Sequence, residues 1–573
     1  MQEVKKEQEF SFPDPKTTDP KQQKWQRICE VIPGSLTWAT LIGMIVFSFL
    51  APAAVAIFII AFDIYWIHRT VYIAYYSIKA YRKLQEGKTI DWWERCQMIE
   101  DPEEYEKMLN KRIEEVKVAK KSLPFFGKER RTVAHVIRKD KSYLKEVRQL
   151  AKEGADKIWD WRKIVHVVLL PTANEGPEII EPSIEAIQKS NFPNQQMIIL
   201  LATESREPEE QREQKVKYLK EKFKGVFRDF IVTTHEVTSD EMKCKGSNAT
   251  YACKQLVKYL EKEEIDTTRV ILSNFDCDSV VHGQYFAALT YAYITDPKRL
   301  QRAYQPLPMY HNNLWDTNAF VRVVVTSSSF WHMYQSTRSE MVTFSSHSEP
   351  FDTLMKVNFW PVNMISEDSI IYWKCIAYFN GDYRVQPVYL PISLDAVLAP
   401  TYWQTIKNQY KQKRRWAYGI ENFPIIMRSI VPNKRISIMK KAKTAMEMLE
   451  GHHSWATAPF ILAFLGWLPL ILGGVVFNES VLAHNLPFFT RYLMTIAMTG
   501  LVVSVSLSFL LLPKRPGHHK RSRYIHFTLQ WLLVPIIAPT LGAIPAIDAQ
   551  TRILIKKYFG EFWVTDKIKL KKK

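Results

Sequence analysis

The chain has 573 residues, enough for more than one domain, and its 78 Lys and Arg against 59 Asp and Glu give a formal charge of +19. A basic balance suits nucleic acid, an anionic membrane surface or a phosphorylated ligand. Because no zinc-finger spacing or RNA-binding signature is present, we expect no nucleic acid partner. The six cysteines are scattered without a Cys-x-x-Cys pair, which predicts reduced thiols facing the cytosol.

The N-terminal part of the sequence predicts a polar cytosolic tail followed by a pair of membrane helices. Residues 1–30 are polar and lysine-rich, without a signal-peptide pattern. Residues 31–62 are uncharged, a run longer than the roughly 20 residues of one bilayer span. With Pro52 near its middle, the run predicts two helices within 31–78. Asp63 then lies inside the second helix, facing the bundle or a wet cavity, or marks the end of that helix.

Within residues 79–395 the sequence pattern changes from charged helical segments to alternating strands and helices. Residues 79–163 are densely charged with apolar positions at helical spacing, which predicts a helical collar in the cytosol. From residue 164 continuous apolar runs alternate with charged helical segments, which predicts a mostly parallel sheet covered on both faces, within an α/β domain over 164–395. The four predicted strands are Ile164–Leu170, Met197–Ala202, Phe230–Thr233 and Val270–Leu272.

The C-terminal part returns to the membrane. Residues 454–478 and 492–513 are uncharged and each long enough to span, and the positive-inside rule places the basic loop 514–523 in the cytosol. The last apolar stretch, 524–547, contains three prolines and is predicted to be a hairpin or re-entrant segment, which leaves the tail in the cytosol. The predicted divisions are interfacial amphipathic helices over 396–450, a membrane region over 451–547 and a basic tail over 548–573.

Two carboxylates at alternate positions, Asp276 and Asp278, follow the fourth apolar run. The carboxyl end of a strand is where open α/β sheets bind ligands, and carboxylate oxygens suit Mg²⁺ or Mn²⁺. The pair therefore predicts a Mg²⁺ or Mn²⁺ site, with a pair of solvated loop acids as the alternative. Cys277 between them is expected to be a small buried residue, since a hard cation prefers oxygen.

Two further motifs have both a structural and a functional interpretation. Ser366, Glu367 and Asp368 precede an apolar helical stretch, as an N-cap and first-turn acids do. A basic helix ends in Gln412-x-x-Arg415-Trp416, which suits a lipid-facing or solvated surface. In a binding site, the same indole would suit the apolar face of a pyranose, and guanidinium groups would suit phosphate.

Together these three motifs resemble those of the membrane-embedded family 2 glycosyltransferases, the group that contains bacterial cellulose, chitin and hyaluronan synthases. The resemblance covers about residues 164–430 and the surrounding membrane pattern. It implies a cytosolic GT-A (Rossmann-like) glycosyltransferase domain inserted between transmembrane α-helices. Its triplet is usually Thr-Glu-Asp, from which Ser366 departs while the carboxylate stays in place.

The resemblance also implies roles for individual residues. Glu204 occupies the place of an Asp that usually contacts the base, so the base of the nucleotide stays open. The implied roles are metal binding for Asp276 and Asp278; general base for Asp368, with Glu367 and Ser366 beside it; nucleotide or diphosphate binding for Pro171, Thr172, Asn174, Glu175, Glu204, Lys243, Asn248, Gln412, Arg414 and Arg415; acceptor stacking for Trp416; and a gating loop at Phe562, Val564, Thr565 and Lys567, for which a solvated basic tail is the alternative.

For the whole protein, the resemblance implies a processive, inverting enzyme of the plasma (inner) membrane with its catalytic domain in the cytosol. It would move a sugar from a nucleotide-sugar donor, a UDP-sugar by resemblance, to a growing polysaccharide, with membrane lipids around its helices. Two alternatives stay open. One is a single-transfer enzyme with a glycolipid acceptor, of the ceramide glucosyltransferase kind, and the other is a transporter or scaffold with a catalytically dead domain. The sugar, the linkage and the oligomeric state are not predicted.

Overall fold

A computed structural model describes residues 10–122, 127–154 and 157–560 of the chain. It begins with two long helices, α1 (Pro20–Leu50) and α2 (Pro52–Lys88), which meet at Ala51. The two predicted helices are therefore present, and both extend into their polar flanks. Helix α2 continues past Asp63, whose side chain is buried and lines a cavity of about 710 Å³. Of the two alternatives for Asp63, the structure has the one inside the helix.

The charged segment that follows is helical, and it packs on the α/β domain. Leu109 and Ile113 from one helix and Val147 from another belong to the same buried cluster as strand residues of the sheet. Because they share a core, this collar is joined to the domain rather than separate from it. Its helices are α3 (Trp92–Met98), α4 (Pro102–Lys121) and α5 (Lys128–Glu153).

An eight-stranded mixed sheet forms the centre of the domain, in the order β3-β2-β1-β4-β7-β6-β8-β5. The first four strands pair in parallel and coincide with the four predicted apolar runs. The predicted α/β class is thus confirmed, and the sheet is Rossmann-like in its parallel half. The strands are β1 (Val165–Pro171), β2 (Met197–Glu204), β3 (Asp229–His235), β4 (Val270–Asn274), β5 (Val280–Val281), β6 (Arg302–Met309), β7 (His347–Pro350) and β8 (Arg384–Ser393).

Helices cover both faces of this sheet. Along β1, Val167 and Leu169 join one buried cluster while Val168 and Leu170 join the other, because successive side chains of a strand point to opposite faces. Double burial explains why the strand reads as a continuous apolar run. The domain helices are α6 (Pro177–Gln188), α7 (Glu209–Lys222), α8 (Lys245–Lys262), α9 (Tyr285–Thr295), α10 (Ala319–Gln335), α11 (Phe351–Lys356) and α12 (Glu367–Tyr378).

The chain after the sheet is almost wholly helical. Helix α18 (Val481–Leu510) packs on α2 where a Cβ on Gly500 would lie 2.2 Å from Thr70, so the glycine lets the two backbones approach closely. The helices are α13 (Tyr402–Ala417), α14 (Asn422–Ile430), α15 (Ile438–Ala463), α16 (Leu468–Leu472), α17 (Gly474–Asn478), α18 (Val481–Leu510), α19 (Arg523–Leu529), α20 (Val534–Ile537) and α21 (Ile544–Leu554).

Four helical segments in the described chain are long and apolar enough to cross a membrane: α1, α2, α18 and Arg523–Leu554. A fifth is possible if α15 and α16, which bend by 52° at their junction, form one broken span. All six cysteines are buried free thiols, consistent with the reduced state that their spacing predicts.

The Arg523–Leu554 segment, predicted to be a hairpin or re-entrant segment, does not form a hairpin. It stays helical from end to end, with 3₁₀ and π turns between α19, α20 and α21, so the chain does not reverse within it. Polar contacts tie both of its ends to other elements of the chain. Its polar contacts are Arg523 to the Trp315 carbonyl, Arg322 to Gln530 (2.7 Å), Arg414 to Asp548 (2.9 Å) and Arg27 to the Ile553 carbonyl (2.9 Å).

Candidate active site

Three charged side chains from distant parts of the chain meet at the carboxyl end of β4. Lys245, the first residue of α8, donates a hydrogen bond to Asp276 Oδ1 at 2.8 Å and to Asp368 Oδ1 at 3.3 Å. Asp276 lies two residues beyond the end of β4, and Asp368 lies in the first turn of α12. The predicted metal ligand and the predicted base are thus held by one ammonium group.

Lys245 is the residue that the sequence analysis missed. Burial opposes its charge, but the carboxylates of Asp276 and Asp368 outweigh burial and raise the pKa of its ammonium. Lys243, which the family resemblance selected, is exposed instead. A Cβ on Gly246 would lie 3.0 Å from the Cβ of Glu367, so α8 and α12 start in close contact, and this contact brings Lys245 to the acids.

The loop that carries Asp276 is held by a polar turn before β7. Ser345 donates to Asp276 Oδ2, and Ser346 accepts the Asp276 amide at 3.4 Å. Ser346 has a φ of 64°, a left-handed conformation that is uncommon for a residue other than glycine. Backbone strain of this kind clusters at functional sites, because it persists only where the surroundings fix it.

Asp278 lies deeper than Asp276. Its Oδ2 accepts the Asp395 amide at 2.8 Å, which ties the loop to the chain beyond β8, and Cys277 between the two acids is buried as expected. Asp276 keeps about a third of its side chain exposed. Two carboxylates on one loop, one of them accessible, fit the hard-oxygen set that Mg²⁺ or Mn²⁺ takes together with substrate phosphates.

The environments of Glu367 and Asp368 separate their roles. Burial, reinforced by the neighbouring Asp368 carboxylate, raises the pKa of Glu367 to about 8, so this carboxyl is neutral at pH 7. Asp368 is about a quarter exposed and faces Lys245. His347, at the start of β7, lies 3.9 Å from Asp368 Oδ1, and burial lowers its pKa. Asp368 is therefore the better placed of the two acids to act as a base.

We expect Glu367→Gln to change how stability depends on pH. Because the folded-state pKa of Glu367 is raised from 4.5 to about 8, this residue contributes to the folding stability fully below about pH 4.5. That contribution is lost as the pH rises to 8. Gln stays neutral at every pH, so the variant does not lose this stability. The difference in thermal midpoint, variant minus wild type, should therefore grow across this window in detergent-solubilised protein. A constant difference would contradict the buried neutral acid.

The end of α13 contributes to the site through Arg415. Burial lowers its pKa, and the carboxylates of Glu367, Asp276 and Asp368 act in the opposite direction. Arg414 lies elsewhere: it pairs with Asp548 at 2.9 Å, so the structure does not bring it to the acids. Adjacent residues on an α-helix point about 100° apart, which explains the difference.

Trp416 and Gln412 lie beside Arg415 on α13. The Trp416 ring is half-buried, with its centroid 6.4 Å from that of Tyr310 and the Lys413 ammonium 5.0 Å from it. Gln412 is buried and accepts a hydrogen bond from Gln409 at 3.1 Å. Trp416 therefore presents a partly accessible aromatic ring next to Arg415 in sequence.

The predicted nucleoside-binding residues close the carboxyl ends of β1 and β2. Just after Pro171, Thr172 donates its amide to the Ala202 carbonyl at 2.8 Å, and Asn248 donates to the same carbonyl at 2.9 Å. Glu175 accepts the amides of Ala173 and Asn174, so its carboxylate shapes its own loop. Asn174 is exposed at the loop surface.

Glu204, at the end of β2, has a partner that the sequence analysis did not foresee. Its carboxylate is buried and pairs with Arg206, and burial raises its pKa. The gating-loop prediction at Phe562, Val564, Thr565 and Lys567 lies outside the described residues. Just before them, the Phe559 ring packs on Tyr418, 4.3 Å between centroids.

Comparison with known proteins gives one distant relative in sequence. No protein-family model matches the chain. A poly-beta-1,6-N-acetyl-D-glucosamine synthase of Staphylococcus epidermidis is 27% identical over 142 residues, which is 25% of this chain and 31% of that protein. The match therefore spans about a third of the relative's length.

Among solved structures, the mannosyltransferase PcManGT from Pyrobaculum calidifontis, in complex with GDP-Man and Mn²⁺, overlaps 69% of this chain and 88% of its own at 14% identity, with a TM-score of 0.37. Residues 1–349 of TarS from S. aureus, in complex with UDP-GlcNAc, overlap 70% and 93% at 10% identity, with a TM-score of 0.34.

Proposed function

We propose that the protein is a membrane-integrated, inverting glycosyltransferase that moves a sugar from a nucleotide sugar to a growing polysaccharide. The observation that carries the proposal is the junction of Asp276, Asp368 and Lys245 at the carboxyl end of β4, with Arg415 beside it. An accessible acid on a strand end, a second acid positioned as a base and a stacking ring are the parts that glycosyl transfer needs. The distant synthase relative supports the same class.

In this proposal the donor diphosphate binds beside Asp276 and Asp278, where it would share Mg²⁺ or Mn²⁺ with the two carboxylates. The cation would supply neutralisation of the diphosphate charge. Arg415 and Lys245 add positive charge at the same place. The nucleoside part lies against the loop that follows β1, beside Glu204, with a UDP-sugar as the proposed donor.

The acceptor sugar stacks on Trp416, which directs one hydroxyl towards Asp368. The Asp368 carboxylate takes the hydroxyl proton as the oxygen attacks the anomeric carbon. The bond from that carbon to the diphosphate oxygen breaks on the opposite face. The configuration therefore inverts, and an α-linked donor gives a β-linked product.

A single-transfer enzyme with a lipid acceptor is the second candidate, and one observation favours it. Among the described residues, four helical segments, or five if the bent α15–α16 pair is one span, are long and apolar enough to cross a membrane. Few crossing helices suit a lipid acceptor that reaches the site from the bilayer better than a channel for a polymer.

One experiment separates these possibilities. Purified protein in lipid is given each UDP- and GDP-sugar with a lipid or oligosaccharide acceptor, and both released nucleotide and product length are measured at early times. Long chains beside unused acceptor would support the polymerase, and uniform addition of one sugar would support the lipid enzyme. If no donor releases nucleotide, the result would support a transporter or scaffold with a catalytically dead domain.

We expect Trp416→Ala to reduce sugar transfer about tenfold, the contribution of one aromatic contact. Donor hydrolysis should fall less, because water needs no platform. The measurement is the ratio of transferred sugar to released nucleotide. Trp403, which begins the same helix and is 78% exposed, is the matched control, and Trp403→Ala should leave the ratio unchanged. Equal loss of transfer and hydrolysis in Trp416→Ala would contradict the platform.

A further inference from the structure

The start of α12 is held by a carboxylate from outside that helix. Glu421 Oε1 accepts three hydrogen bonds: the Ile365 amide at 3.0 Å, the Ser366 amide at 2.8 Å and the Ser366 hydroxyl at 2.7 Å. Ser366 occupies the N-cap position, yet its hydroxyl makes no capping bond to its own helix. The expected side-chain cap is thus replaced by a long-range contact.

The next residue, Asn422, extends the same contact. Its Oδ1 also lies 2.7 Å from the Ser366 hydroxyl, which shares its single hydrogen between Glu421 and Asn422, and its Nδ2 donates to Ser369 Oγ at 2.8 Å. Asn422 is buried, and Ser369 lies one residue beyond Asp368. The turn that carries Asp368 is therefore bonded on both sides to this pair.

Glu421 also lies close in sequence to the acceptor side of the site. It ends the 3₁₀ turn Tyr418–Glu421 that continues directly from α13, five residues after Trp416. Trp416 and Asp368 are 48 residues apart in sequence, but through Glu421 they are joined by a short rigid path. A base and an acceptor platform have to keep a fixed distance, because a misplacement of 1 Å can cost about a hundredfold in rate.

Resting on the function proposed above, we propose that Glu421 is a positioning residue that fixes Asp368 relative to the acceptor platform. It acts through its hydrogen bonds and does not itself touch the substrate. Three donors on a single oxygen define a position more tightly than one bond can. Burial raises the pKa of Glu421 to about 7, and its neutral form still presents a carbonyl oxygen as an acceptor.

The test compares Glu421→Ala with Glu421→Gln, which keeps an Oε1 acceptor of the same reach. Glu421→Ala should lower kcat for transfer at least about tenfold, with the donor KM within about twofold of wild type, and transfer should fall more than donor hydrolysis. Glu421→Gln should restore kcat to within about threefold. Ser366→Ala, which removes one of the three bonds, should give an intermediate kcat and serves if Glu421→Ala does not fold.

Glu349→Ala is the control for loss of a buried carboxyl group. Glu349 lies in β7 with one long contact, 3.4 Å to the Tyr383 hydroxyl, and its removal should lower thermal stability while transfer by the folded protein is kept. Wild-type transfer rates in Glu421→Ala, or an equal loss in Glu421→Gln and Glu421→Ala, would overturn the inference alone. A wild-type protein that releases nucleotide from no donor would overturn the proposed function and the inference together.

Discussion

Asp368→Asn should lower the rate of sugar transfer at least about a hundredfold, the lower end of what a general base contributes, while nucleotide-sugar binding stays nearly intact. The amide keeps the shape of the side chain but cannot take the acceptor proton. Lys245 keeps its 2.8 Å contact to Asp276 in the variant, so the donor side of the site should survive. The measurements are kcat for transfer and donor affinity by calorimetry.

The companion variant Glu367→Gln separates the two acids of the triplet. Glu367 is buried with a pKa of about 8, so it is already uncharged at pH 7 and its replacement should change kcat much less. If Asp368→Asn transfers sugar as fast as wild type, the base is assigned to the wrong residue. Glu367 would then be the next candidate.

Asp276→Ala and Asp278→Ala should each abolish transfer, while the protein still folds and inserts. Departure of a diphosphate without its cation loses several kcal/mol of charge stabilisation, and about 4 kcal/mol corresponds to about a thousandfold in rate. Metal binding can be measured directly, as the Mn²⁺ dependence of donor affinity and as Mn²⁺ paramagnetic resonance in the presence of nucleotide. Both signals should be lost in the two variants.

Asp382→Ala is the matched control, because Asp382 is an exposed carboxylate of the same domain that pairs with Lys298 at 2.6 Å. Its replacement should leave transfer and Mn²⁺ binding at wild-type levels. Activity in EDTA equal to that in Mn²⁺ would rule out the metal role of both acids. The carboxylates would then serve only to hold Lys245.

The parallel half of the sheet could be predicted because its strands can be identified from the local sequence alone. β1 and β2 are apolar along most of their length and β4 begins with three apolar residues, since both faces of these strands are covered, and this pattern can be read without knowing the neighbouring strands. The position of Asp276 followed from the same pattern, because a strand end is a local feature. Strands β5 to β8 were missed: β7 reads His-Ser-Glu-Pro, which has no strand signature, and it exists only because β4 and β6 flank it.

The partners within the site could not be predicted, because they are set by tertiary packing. The family resemblance selected Lys243, but the start of α8 places Lys245 beside the acids. Ser366 was correctly placed at a helix start, and its actual partner lies 55 residues further along the chain, where sequence offers no signal. Arg414 and Arg415 are equivalent in sequence, and only the orientation of α13 shows that one faces the acids and the other faces Asp548.

The dependence of this site on α13 and the turn after it has a practical consequence for fragment studies. A soluble piece cut at residues 164–395 would contain the sheet, Lys245, Asp276 and Asp368, but neither Arg415 nor Glu421. It would also lose the collar residues that complete one of its two cores. Such a fragment, even if it folds, would expose the apolar surface that the collar covers in the whole chain. It would also present a donor pocket without its acceptor side. Recombination between related proteins should therefore exchange the domain together with α13 and α14 as one block.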